Sequence, residues 1–165
     1  MKQVRTAVFL ALFLAVLLSI GCGGPATNSH TANVSANAPA SNSDVENTNV
    51  EQLRLLIAMP YEPDDVVWRG GPEEKKLMAV LRFSTVDADK LTEDAKRVKQ
   101  PTSAKISSET WFPAELIAQG DISGDDTLKG TTYAANQFFQ PPFNDGKLTR
   151  IEGTDYFVLE LSAQQ

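Results

Sequence analysis

In 165 residues the chain carries one cysteine, Cys22, and one histidine, His30. A single cysteine excludes any intramolecular disulfide. Beyond His30 neither residue type recurs, so catalysis that pairs a serine or cysteine nucleophile with an imidazole has no base there, and only lysine-based variants stay open. His30 has no second ligand at metal-binding spacing, and neither a metal nor a cofactor is expected. Positive charge is also scarce: 15 Lys and Arg stand against 21 Asp and Glu, a formal net charge of −6. That balance argues against nucleic acid as a partner.

What the chain does contain is unevenly placed. Lys2 and Arg5 precede Ala7 to Leu18, an apolar run with no polar residue. This order matches the charged and hydrophobic regions of a secretory signal peptide over residues 1–21. The run falls short of the roughly 18 to 20 residues that a bilayer-spanning helix needs. It closes on Ser19-Ile20-Gly21-Cys22. The quartet resembles the lipobox of bacterial lipoproteins, in which a small residue precedes the cleaved bond and a cysteine follows it. Ser19 stands where that family usually has leucine, and Leu18 lies one place further back. Confined to the leader, the resemblance implies cleavage before Cys22 and a thioether from its thiol to diacylglycerol, which makes the membrane the first partner. At about 0.8 kcal/mol per buried CH₂, the two or three acyl chains of such proteins anchor permanently. Gly23 holds the place where an inner-membrane lipoprotein of a Gram-negative cell carries Asp, so the resemblance points to the outer membrane. Loss of Lys2 and Arg5 with the leader makes the mature chain two charges more negative.

Residues 22–49 are rich in Asn, Ser, Ala, Thr, Gly and Pro, with no aromatic residue and no charge before Asp44. Such a segment buries too little apolar surface to fold and reads as a disordered tether. As a flexible chain it spans on the order of 30 Å.

The remainder, residues 50–165, is long enough for one hydrophobic core. Leu53 to Met59 and Val66 to Trp68 read as strands, the second at a sheet edge before Gly70-Gly71-Pro72. Lys76 to Phe83 alternates, with Leu77, Ala79, Leu81 and Phe83 on one face and Met78 and Val80 on the other, as a central strand does. Ser84 or Thr85 suits an N-cap for a helix over 86–99, whose apolar positions are Val86, Leu91, Ala95 and Val98 and which Pro101 cannot continue. Ile106 to Phe112 reads as extended, and a short helix over 113–119 starts with Pro113 and stops at Gly120. Asp121 to Gly130 reads as a loop, and Thr131 to Phe139 has no clear period. Lys147 to Glu152 and Asp155 to Leu161 form a hairpin about Gly153-Thr154, preceded by a turn at Asn144-Asp145-Gly146. The expected class is α+β with a mainly antiparallel sheet.

Four patterns invite a functional reading. Trp68, Trp111 and Phe143, with Phe138 and Phe139, are candidates for an exposed aromatic surface that binds a polysaccharide or an envelope protein, although aromatics in so small a domain are mostly core. Glu109 and Glu115 flank Trp111-Phe112 as a carboxylate pair for hydrolysis would, while Glu115 also suits a helix first turn. Asp121 to Asp126 offers oxygen ligands for calcium without the alternation or terminal Glu of an EF-hand loop. Gln140-Pro141-Pro142-Phe143 has the form of an inhibitor's inserted loop. The expectation is a non-catalytic binding or accessory module of the cell envelope, with a carboxylate hydrolase or an inhibitor-like domain as the alternatives.

Overall fold

The computed structural model describes residues 45–164. The leader, Cys22, His30 and most of the tether lie outside the described residues. Six strands, β1 Asp65–Gly71, β2 Lys76–Arg82, β3 Thr102–Ser107, β4 Thr127–Ala134, β5 Asp145–Ile151 and β6 Tyr156–Ser162, form one sheet in the order β1-β2-β6-β5-β4-β3. Every neighbouring pair is antiparallel. With helices α1 Val50–Arg54, α2 Thr85–Val98 and α3 Ala114–Ser123 this is an α+β domain.

Alternation along the strands divides the apolar residues between two faces. Leu77, Ala79, Leu81, Phe157, Leu159 and Leu161 join Leu53 and Ile57 of the α1 region and Ala88 and Leu91 of α2 in one buried cluster. Val80, Val158 and Tyr156 pack on the other face with Phe112 and with Leu116 of α3. The alternation read for β2 and the β5–β6 hairpin both hold, with Leu148 opposite Leu159 and Arg150 opposite Phe157.

Four local readings are corrected. The segment from Leu53 begins inside a short helix, because Asn49 caps it by accepting from the Gln52 backbone N–H and Leu53 and Ile57 both turn into the core. Ser84 does cap α2, yet the buried stripe is Ala88, Leu91, Thr92 and Ala95, while Val86 and Val98 are 63% and 55% exposed. Val86, two residues before Ala88, falls on nearly the opposite side of the helix. Extended structure begins at Thr102, not at Ile106, and has ended before Phe112, whose N–H bonds the Glu109 carbonyl. Finally, α3 runs through Gly120 to a left-handed cap at Gly124. Gly120 is buried in that helix because a Cβ there would meet the Ser108 Cβ at 2.9 Å. Of the loop expected over Asp121 to Gly130, only Gly124 to Asp126 is a turn, between the last turn of α3 and the start of β4.

Contacts with the sheet start ahead of Val50: Asn47 exchanges two backbone hydrogen bonds of 2.9 Å with Trp68 on the outer edge of β1. Glu46 beside it lies 2.9 Å from Arg69 of the same strand.

Candidate binding surface

The three aromatic candidates do not share a surface. Trp68 and Phe143 are buried in the cluster on the α1 and α2 side, and Trp111 is half-buried on the opposite face. The indole N–H of Trp68 donates to the Asn49 carbonyl at 3.3 Å, which ties the capped end of α1 to β1. Trp111 meets Phe112 edge-on at 4.8 Å, and the Arg69 guanidinium sits 5.0 Å from its ring. Phe138 is fully buried as well. The exposed aromatic surface considered above is thus mostly core, as aromatics in so small a domain mostly are.

Glu109 and Glu115 are both exposed, Glu115 in the first turn of α3. Neither lines the clefts described below. Burial, and next the negative charge of Glu115, raise the phenol pKa of Tyr156. In the Gln140–Phe143 segment the Gln140 amide donates to the Leu55 carbonyl at 2.9 Å, and the Phe143 ring fills the core. Both ends of that segment are tied to the domain.

The Asp121–Asp126 segment closes on itself. Thr127 and Ser123 hydroxyls donate to one oxygen of Asp125 at 2.6 and 2.7 Å, and these bonds hold its carboxyl at about 2 against an ordinary 3.8. No group of three potential metal ligands occurs among the described residues. Because the folded pKa is depressed, the unfolded chain binds the extra proton. The stabilisation is present above pH 3.8 and is lost as pH falls toward 2. Asp125→Asn is expected to flatten the stability–pH profile across that window and to lower stability by a pH-independent amount above it, as urea titrations at stepped pH would show.

A cleft of about 800 Å³ opens on the α2 side of β3, β4 and β5, beyond the part of that face which α2 covers. Strand register builds its floor. Ser103 stands opposite Thr131, Thr131 opposite Arg150, and Lys105 opposite Lys129. Tyr133 is half-buried at its side. Arg150 is held in place: its guanidinium lies 2.9 Å from Asp89 of α2 and 2.8 Å from Asp155, and stacks 5.7 Å from the Phe157 ring. Partial burial opposes its charge, but the hydrogen bonds with Asp89 and Asp155 outweigh that and raise its pKa. The second oxygen of Asp155 accepts from Thr85 at 2.7 Å. With both oxygens engaged, Asp155 acts here as a brace for Arg150 and the N-terminus of α2.

Two smaller clefts lie elsewhere. One of about 590 Å³, at the far ends of β1, β2, β6 and β5, is crossed by the Lys147–Glu160 ion pair at 2.9 Å. One of about 350 Å³ lies between the end of α2 and Asn144. In the cleft over β3, β4 and β5, Lys105 and Lys129 are both exposed, a like-charged pair directly across two strands, which weakens a sheet unless acids answer the charge, as Glu152 does from the β5 side of Lys129. Sequence reasoning missed this pair because the two lysines are far apart along the chain and only strand register brings them together.

The chain matches no family model, no curated protein and no solved structure.

Proposed function

We propose that this protein is a lipid-anchored, non-catalytic binding or accessory module of the cell envelope, held by acylated Cys22 in the outer membrane if the cell is Gram-negative. The observation that carries the anchor is the charged start, short apolar run and Ser19-Ile20-Gly21-Cys22 order, ending on the one thiol of the chain. The binding reading is supported by the broad cleft over β3, β4 and β5, where Arg150 and Asp155 are committed to each other. A carboxylate hydrolase needs its pair in a cleft, and the exposed Glu109 and Glu115, which line none of the clefts described above, give it no support.

The test is membrane fractionation of the full chain beside Cys22→Ser. The parent is expected in the membrane pellet and released by detergent, and the variant in the soluble envelope fraction. Equal membrane recovery of both would overturn the anchor.

A further inference from the structure

We infer that the free edge of β3 is a docking site for an extended, acidic peptide segment of a partner protein, which adds to the sheet as a seventh strand. This names the partner of the cleft and rests on the binding-module reading.

The two sheet edges are unlike. On β1 the segment through Asn47 already lies against the strand, and Glu46 pairs with Arg69. The chain thereby shows its own sheet taking an extended segment with an acidic residue against a basic one. At the other end of the sheet, β3 has β4 on one side and no strand or bridge on its other side among the described residues.

The direction of its backbone groups follows from register. The Ser108 N–H donates to the Asp126 carbonyl at 2.7 Å, continuing the pairing of Ile106 with Leu128 and Ala104 with Gly130. Antiparallel strands alternate between residues that bond inward and residues that bond outward. Thr102, Ala104 and Ile106 therefore bond to β4, and Ser103, Lys105 and Ser107 present their N–H and C=O groups away from the sheet. Such a row is a template for strand addition.

Charge selects the occupant. β3 and β4 together carry Lys105 and Lys129 and no acidic residue, in a chain with a net charge of −6. Two acids border the pair: Asp125, 3.8 Å from Lys105 with both side chains more than half exposed, and Glu152, whose backbone N–H bonds the Lys129 carbonyl from the β5 side. Lys105 is the cation beside the free edge. A strand laid along β3 places alternate side chains over this cleft beside Lys105, where carboxylates meet its charge directly across the new strand pair.

The test uses the full chain carrying Cys22→Ser, with two synthetic probes, an alternating Glu-Val peptide and its Lys-Val counterpart, read by amide NMR and hydrogen exchange. The Glu-Val peptide is expected to shift the amides of Ser103, Lys105 and Ser107 and slow their exchange, and the Lys-Val peptide to leave them unchanged. Ser103→Pro removes an outward N–H without touching a bond to β4, a placement an edge strand accepts. It is expected to weaken Glu-Val binding about ten-fold, the loss of one backbone hydrogen bond. Lys105→Glu with Lys129→Glu is expected to reverse the preference between peptides. No effect of either peptide, or full binding by Ser103→Pro, overturns the proposal and leaves the membrane anchor standing. Protection of the same amides that grows with protein concentration alone identifies a second copy as the occupant and overturns the partner assignment.

Discussion

Phe157→Ala is expected to remove about 3 to 5 kcal/mol of folding stability, the range for truncating a buried phenylalanine. Phe157 lies in β6, between Leu81 of β2 and Arg150 of β5, and is completely buried. Its ring meets Phe83 edge-on at 5.7 Å, and the Arg150 guanidinium covers it at 5.7 Å. Truncation therefore opens a cavity at the centre of the larger cluster and removes the apolar support of a braced arginine. A small domain holds about 5 to 15 kcal/mol in all, so this one change takes a large share. Urea unfolding of the full chain with Cys22→Ser is expected to show a lower midpoint at unchanged slope. Val86→Ala, on the exposed side of α2, is expected to change stability by no more than about 0.5 kcal/mol. Equal effects of the two would contradict the assignment of the helix face.

The parts of the fold legible in the sequence are those fixed by local chemistry. Lys76 to Phe83 reads as a strand because both faces of β2 are covered, which leaves a nearly continuous apolar run of strand length, and Ser84 and Pro101 mark the limits of α2 through the groups they supply or lack. The hairpin of β5 and β6 needed only alternation and Gly153. What escaped depends on distant partners. The five-residue helix α1 is too short to be stable alone and is held by Leu53 and by the tie from Asn49 to Trp68. Thr102 to Ser107 has little apolar character because this edge strand buries no residue deeply, so no hydrophobic period announced it. The cleft has no motif at all: Ser103, Lys105, Lys129 and Arg150 meet through register across three strands. The aromatic candidates failed for a related reason, since the residues that attract attention by size are those the core consumes.

Gly70→Ala is expected to cost about 3 kcal/mol, well beyond the penalty of its backbone conformation alone. Gly70 sits near the end of β1 at φ +85°, opposite Leu77, and a Cβ there would lie 2.3 Å from the Lys76 carbonyl oxygen. That oxygen belongs to the backbone of β2, so it cannot swing aside as a side chain would without moving the β1–β2 register. Gly153→Ala separates the two contributions. Gly153 has a similar φ of +75° in the β5–β6 turn, but nothing lies within 4 Å of its would-be Cβ. Only the left-handed conformation is charged there, about 1 to 2 kcal/mol. Chemical denaturation of both variants measures the difference, which isolates the close approach of Gly70 to β2. If the two cost the same, the Lys76 backbone yields freely and the β1 edge is looser than its pairing implies. If Gly70→Ala costs the larger amount, the β1 edge is rigid, and Glu46 and Asn47 dock on a fixed strand, as the acidic segment proposed for β3 would.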